Sequence, residues 1–286
     1  MLNLNLSYDI SDSLSVTSTT SKQKMDRFLR DDLDSTDANL FGQNNYTEES
    51  ESFTQEFVLN YASGDIEFLA GAMYLKEDLF GKVFVPLTNV CALLAPATCG
   101  TAIGDGLNSG MYEQNGDVNI TAYGAYAEMT YSIADNLRVI AGLRYNNEDR
   151  EGTGSFIFDA AGLDLPTAKE KSWSDVTPRL TLQYEPSEEM MLYATYTEAF
   201  KSGVINTGSL DAPLDPETVD AIEVGVKGSN ENKSLTYAVT AFYYDYQNLQ
   251  ISFVNEASTV TTVNAAEAEN YGAEIELKAP NSEKNA

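Results

Sequence analysis

Apolar side chains in this chain return at every second residue, not every third or fourth, and that rhythm leaves few folds open to it. In the opening segment Leu2, Leu4, Leu6, Tyr8 and Ile10 share one parity, while Asn3, Asn5, Ser7 and Asp9 share the other. Around 175–184, Val176, Pro178, Leu180, Leu182 and Tyr184 oppose Asp175, Thr177, Arg179, Thr181 and Gln183. At 137–145, Leu137, Val139, Ala141, Leu143 and Tyr145 oppose Arg138, Gly142 and Arg144, with Ile140 the exception. Tyr271, Ala273, Ile275 and Leu277 oppose Gly272, Glu274 and Glu276 in the same way. Successive side chains of a strand point to opposite faces, so each of these segments has one oily and one wet face.

The pattern predicts about eleven antiparallel strands, at roughly 2–10, 14–22, 52–62, 66–79, 117–131, 137–149, 171–184, 190–201, 216–228, 233–247 and 268–279. Many match or exceed the roughly 9–11 residues that cross a bilayer when tilted. Short turns near 11–13, 63–65, 133–136, 185–189 and 229–233 alternate with long loops near 23–51, 80–116, 150–170, 202–215 and 248–268. Short turns on one rim and long loops on the other are the asymmetry of outer-membrane β-barrels, and a soluble sandwich has no physical reason to adopt it. Pro178 cannot donate to a ladder, so regular pairing is expected to begin just after it, or a bulge to sit there. Segment 235–246 becomes aromatic on both faces at Phe242, Tyr243, Tyr244 and Tyr246, as an interfacial zone or a doubly buried strand would. The polar, acidic stretch 21–51, with Asp31, Asp32, Asp34 and Asp37, reads as one extracellular loop that can hold a short helical turn.

Composition narrows the chemistry. Mean hydropathy is −0.28, which suits a barrel because alternating strands average out. No apolar run approaches the roughly 18 residues of a membrane-spanning helix. A net charge of −27 repels phosphate backbones and argues against nucleic acid as a partner. The chain has no histidine, which removes the usual general base, the Ser-His and Cys-His arrangements and most zinc sites. Asp31, Asp32 and Asp34 lack the glycine and distal glutamate of an EF-hand, so a solvated acidic loop is the reading and no metal site is assigned. Ser21 and Lys24 match S-x-x-K without its companion motifs, and nucleophile-elbow and phosphate-loop patterns are absent. No enzyme active site and no cofactor is expected. Cys91 and Cys99 sit in one loop-like segment, either as a local disulfide of an oxidising compartment or as two unpaired structural cysteines. Arg138, Arg144 and Arg179 lie on the wet faces; turned to mid-membrane lipid, each would cost about 2–4 kcal/mol.

The stretch VTPRLTLQYEPSEEMMLYATYTEAFKSGVIN (176–206) is followed by PETVDAIEVGVKGS (216–229), LTYAVTAFYYDYQNLQ (235–250) and AENYGAEIELKA (268–279), and preceded by AGLRYNNEDRE (141–151). Together these resemble the barrel strands of TonB-dependent outer-membrane receptors. Where many relatives have a second glycine after Lys201-Ser202-Gly203, this chain has Val204. The resemblance implies an all-β, antiparallel transmembrane barrel of about 22 strands, of which residues 1–286 would supply about half. It implies residence in the outer membrane of a Gram-negative bacterium, among outer-membrane lipid. It also implies uptake of a scarce small-molecule nutrient such as a ferric siderophore, driven by an inner-membrane energy-coupling protein acting through the N-terminal region. The plug domain and the C-terminal strands of such receptors are not recognisable within the 286 residues. Two sheet edges, near 2–10 and 268–279, are therefore expected to stay open, and the chain alone is expected neither to close nor to transport.

Two other functions compete with a receptor barrel: a soluble or secreted β-sandwich binding module of lectin or adhesin type, and a passive porin-like channel. The candidate ligand-facing residues are Phe84, Tyr112, Phe200, Lys201 and Asn206, placed in the long loops or at their margins. For each of them an interfacial aromatic girdle or plain loop packing is the competing role.

Overall fold

A computed structural model describes residues 1–32, 44–91, 95–254, 260–265 and 267–279. The strands are β1 (Leu2–Ser11), β2 (Leu14–Asp31), β3 (Asn44–Ser63), β4 (Ile66–Pro86), β5 (Met111–Ala134), β6 (Leu137–Phe158), β7 (Leu163–Ser187), β8 (Met190–Lys201), β9 (Glu217–Ser229), β10 (Thr236–Gln247), β11 (Gln250–Val254), β12 (Val260–Asn264) and β13 (Ala268–Lys278). β1 to β10 and then β13 form one eleven-stranded sheet in which each strand is hydrogen-bonded to its sequence neighbour; β11 and β12 form a separate hairpin in the β10–β13 connection. Every pairing is antiparallel. β1 and β13 are the ends of the sheet and have one neighbour each.

The two-residue rhythm becomes two faces. Phe57, Leu143, Leu180, Ile222 and Val224 lie on the outward face and are all exposed, Phe57 by 54%. Among the described residues no second sheet covers them, which removes the β-sandwich alternative. Aromatic side chains bracket this oily band, with Tyr61, Phe68, Tyr131 and Tyr184 towards the short turns and Phe53, Tyr74 and Tyr123 towards the long connections. The rings of Tyr74 and Tyr123 stand 5.3 Å apart. Such girdles mark the two water–lipid boundaries of a membrane barrel. The inward face is polar and cross-linked: Tyr126 Oη donates to Glu56 (2.7 Å), Arg144 lies over the Tyr126 ring (5.5 Å), and Arg138 pairs with Glu185. The three arginines whose placement in lipid would be costly all face inward.

The short turns fall where the pattern puts them. Ser63 pairs with Ile66, and Gly64 between them adopts φ +56°, a left-handed value that glycine takes without strain. Register shifts occur next to three of these turns, at Asp9/Ser11, Ser132/Ala134 and Tyr184/Ser187. The paired stretch of β7 with β8 begins at Arg179, just past Pro178, which is paired only on its β6 side, opposite Leu143.

The long connections need correction. Two expected loops, 23–51 and 150–170, are largely strand, and a third, 80–116, is strand at both ends. β2 runs on to Asp31 and β3 resumes at Asn44, with Asp34 and Asp37 outside the described residues. β4 and β5 extend to Pro86 and Met111, and β6 and β7 to Phe158 and Leu163. Above the oily band the outward face no longer meets lipid, so the hydrophobic alternation fades while the backbone ladder continues. The connection between β4 and β5 carries a 3-10 turn (Pro96–Thr98) and a short helix, α1 (Ala102–Leu107), capped by the Thr101 side chain, and a disulfide joins Cys91 to Cys99. Connection 248–268, expected as loop, contains the β11–β12 hairpin.

Candidate functional site

Residues 202–215, between β8 and β9, lie against the inward face of β5, β6 and β7. The sequence prepares a bed for them. Gly116 on β5 and Gly152 and Gly154 on β6 are inward positions, and a Cβ on any of them would collide with Thr207. Gly203 in turn lies against the Trp173 ring and the Leu214 carbonyl, with no room for a side chain. Removing side chains at these points lets one backbone approach another closely.

The segment is then clasped. Lys169 on β7 donates to the carbonyl oxygens of Asn206 (2.8 Å) and Ser209 (2.7 Å) and to that of Asp211. Burial holds its ammonium below the ordinary lysine pKa, and the Asp211 carboxylate pulls it back up. Thr167 donates to the Thr207 carbonyl. At the start of the segment, Ser202 Oγ donates to Glu148 (2.6 Å) and accepts from Arg150 (3.2 Å). At its end, Lys171 pairs with Asp215 (2.9 Å). Gln250, where β11 begins, donates to the carbonyls of Ser202 (3.1 Å) and Asp215 (3.0 Å) and so ties both ends together. Trp173 is buried here, and its Nε1 is the one buried side-chain polar atom without a partner among the described residues.

Under this segment lies a cavity of about 660 Å³. Arg27, Tyr46, Leu79 and Val118 line one side, and Val204, Asn206, Thr207 and Asp211 line the other. A connection leaving β8 thus reaches residues of β2 and β3, which requires the inward face to be concave. Among the described residues no group of histidine, cysteine, aspartate or glutamate side chains is arranged to hold a metal ion.

The five candidates separate. Asn206 lines the cavity; its Oδ1 accepts from the Gly208 amide (3.0 Å) and its carbonyl binds Lys169. Tyr112 is a strand residue of β5, edge-on to Phe156 at 5.5 Å, and burial raises its hydroxyl pKa. Phe84 is a strand residue of β4 on the outward parity, with the Lys82 ammonium 5.7 Å from its ring. Phe200 and Lys201 end β8; Lys201 pairs with Glu217 (3.4 Å) directly across the ladder. None of these four lines the cavity. The sequence reading missed Lys169, Thr207 and the glycine bed. The available signal was glycine recurring on inward positions at 116, 152 and 154.

Residues 1–281 match the family of TonB-dependent receptor-like β-barrels. A ferric-pyoverdine receptor of Pseudomonas putida is 29% identical over 130 residues, which cover 45% of this chain and 16% of that receptor. Among solved structures, the ferric yersiniabactin uptake receptor of Yersinia pestis superposes with a TM-score of 0.79 at 14% identity, over 98% of this chain and 39% of that one. A siderophore receptor of Acinetobacter baumannii gives 0.73 at 18% identity, over 98% and 44%. The chain therefore spans less than half the length of these relatives, and at such identities the superpositions establish the fold alone.

Proposed function

The chain belongs to the TonB-dependent receptor-like β-barrel family, and from that membership we propose that it is part of the wall and ligand-facing surface of an energy-coupled receptor for a ferric siderophore. The family resides in the outer membrane of Gram-negative bacteria and transports without covalent chemistry. The remaining wall, the plug and the contact with the inner-membrane energy-coupling protein are assigned to sequence outside the 286 residues. The observation that carries the proposal is the cavity on the concave face, beyond the aromatic girdle on the long-connection side, roofed by 202–215. Asn206 and Tyr46 offer polar contacts there; Tyr112 and Lys201, on the inward parity but outside the cavity lining, are secondary candidates, and Phe84 and Phe200, on the outward parity, are better suited to the interfacial role. The ferric-pyoverdine receptor of similar sequence supports the cargo class, and the family match favours driven uptake over a passive pore.

Trp173, the single tryptophan of this chain, packs against the base of the roof and can serve as a reporter. The test uses the full receptor chain and a panel of ferric pyoverdine, catecholate and hydroxamate siderophores. One of them is expected to quench the Trp173 contribution, defined by a Trp173→Phe control, and to support iron-limited growth. Asn206→Trp, which narrows the cavity, is expected to weaken uptake by about tenfold or more, equivalent to about 1.4 kcal/mol, at unchanged surface level. Failure of every ferric siderophore to bind, or normal uptake by the narrowed variant, would remove this function.

A further inference from the structure

The inward face changes character towards the long connections. Nearer the short turns it is charged, with Glu56, Arg138, Arg144 and Glu185 among its side chains. At the height of the cavity it turns oily. Leu79 stands opposite Val118, and two positions further along the strands Leu29, Tyr46, Val83 and Gln114 stand opposite one another in turn across β2, β3, β4 and β5. The same row runs on to Phe156 on β6 and Leu165 on β7. The roof adds Val204 and Leu214. A face that meets water has no need of such residues, so the parity that is wet lower down is greasy where the cavity lies.

Charge is scarce there and already matched. Between those two rows of β2 to β5 the charged inward side chains are Arg27 and Glu48, and they pair with each other (3.2 Å). Lys82, on the outward parity, is held by Glu113 (2.7 Å). Lys169 spends its ammonium on three carbonyl oxygens of the roof. The Asp211 carboxylate, at the cavity, accepts from Ser209 Oγ (2.7 Å) and enters no ion pair among the described residues. A multiply anionic guest would therefore leave water without meeting an unpaired cation, in a chain of net charge −27.

We infer that the cavity takes an uncharged ferric complex of hydroxamate type and lays an aliphatic arm of it on the surface formed by Leu29, Leu79, Val83 and Val118. Three hydroxamates carry one negative charge each and cancel the ferric ion. Three catecholates carry two each and leave the complex at minus three. Tyr46, Gln114 and Asn206 are the polar groups that meet the hydroxamate and amide atoms of the guest. A mostly apolar cavity of about 660 Å³ with a few convergent polar groups is of the ordinary size and make-up for a small-molecule site.

The inference narrows the ferric-siderophore reading and rests on it, so its test separates the two. The full receptor chain in non-ionic micelles is dialysed to equilibrium against three iron-labelled probes. Two are neutral and differ only in chain length, N-acetyl and N-octanoyl ferrioxamine B; the third is trianionic ferric enterobactin. The octanoyl complex is expected to bind tightest, about tenfold better than the acetyl one, a fraction of what complete burial of its extra methylenes would give. Ferric enterobactin is expected to bind weakest. Leu79→Asn is expected to erase the gain from the longer chain. Val83→Lys, which places an unpaired cation in the cavity, is expected to strengthen ferric enterobactin binding by about tenfold. Tighter binding of ferric enterobactin than of either neutral complex, or equal binding of the two chain lengths, overturns the inference and leaves the siderophore reading standing. A chain-length gain that survives Leu79→Asn, or a folded Val83→Lys receptor that binds ferric enterobactin no better, does the same. Binding of none of the three also overturns it, and ferric pyoverdine then decides the broader reading.

Discussion

Three glycines do at the residue scale what no side chain could. A Cβ at Gly154 would stand 2.2 Å from the Asn115 carbonyl oxygen and 2.6 Å from that of Thr207, both backbone atoms that cannot swing away. At Gly142, on the same strand and the same inward parity, the nearest atom is a Glu128 carboxylate oxygen at 3.4 Å. Gly154→Ala is therefore expected to lift the 202–215 segment and destabilise the folded receptor by about 1–3 kcal/mol. Gly142→Ala is expected to be silent. Proteolytic nicking within 202–215, compared at equal surface level, distinguishes the two; equal nicking would contradict the bed. Lys169 shows why such residues escape a reading of the sequence. In the string KEK at 169–171 it is an ordinary lysine. It becomes a clasp only because β7 pairs it with Gly152, beside a segment about forty positions away whose carbonyls converge on it. Asn206, which lines the cavity, is a candidate in the sequence because it lies in a recognisable stretch.

At the scale of the element, the rhythm that identifies these strands is written by their surroundings. Lipid on one side and water on the other impose alternation over the band between the aromatic girdles, and β1, β6, β7 and β13 were legible there almost to the residue. Past the girdle the same strands run through stretches such as Gly152–Thr153–Gly154–Ser155, polar on both sides, and the signal ends before the strand does. Phe80 to Pro86 on β4 fails in the opposite way, being largely apolar on both parities and so without a period to read. The face assignment makes its own prediction on β3. Phe57→Arg places a charge on the exposed outward face and is expected to cost about 2–4 kcal/mol of folding into vesicles if it sits near mid-bilayer. Thr54→Arg, inward beside Glu56, is expected to cost far less. Heat-modifiable migration after refolding of the full receptor measures both, and equal losses would contradict the outward and inward assignment.

For the whole molecule, the sheet presents an oily exterior, a wet concave interior and two ends, β1 and β13, whose outer backbone groups have no strand beside them in the described structure. Hydrocarbon offers such groups no hydrogen bonds. The 286-residue polypeptide by itself is therefore expected to give no unitary conductance in planar bilayers; steady single channels from it would show that these ends find each other. The clasp over the cavity carries a different consequence. Lys169 and Thr167 hold 202–215 by its main-chain oxygens, and Gln250 holds its two ends in the same manner. Every amino acid supplies those oxygens. The side chains that look into the cavity are thus largely excused from keeping their own support in place, and a lineage pressed to capture a new cargo can rewrite them one at a time while the receptor goes on folding as before.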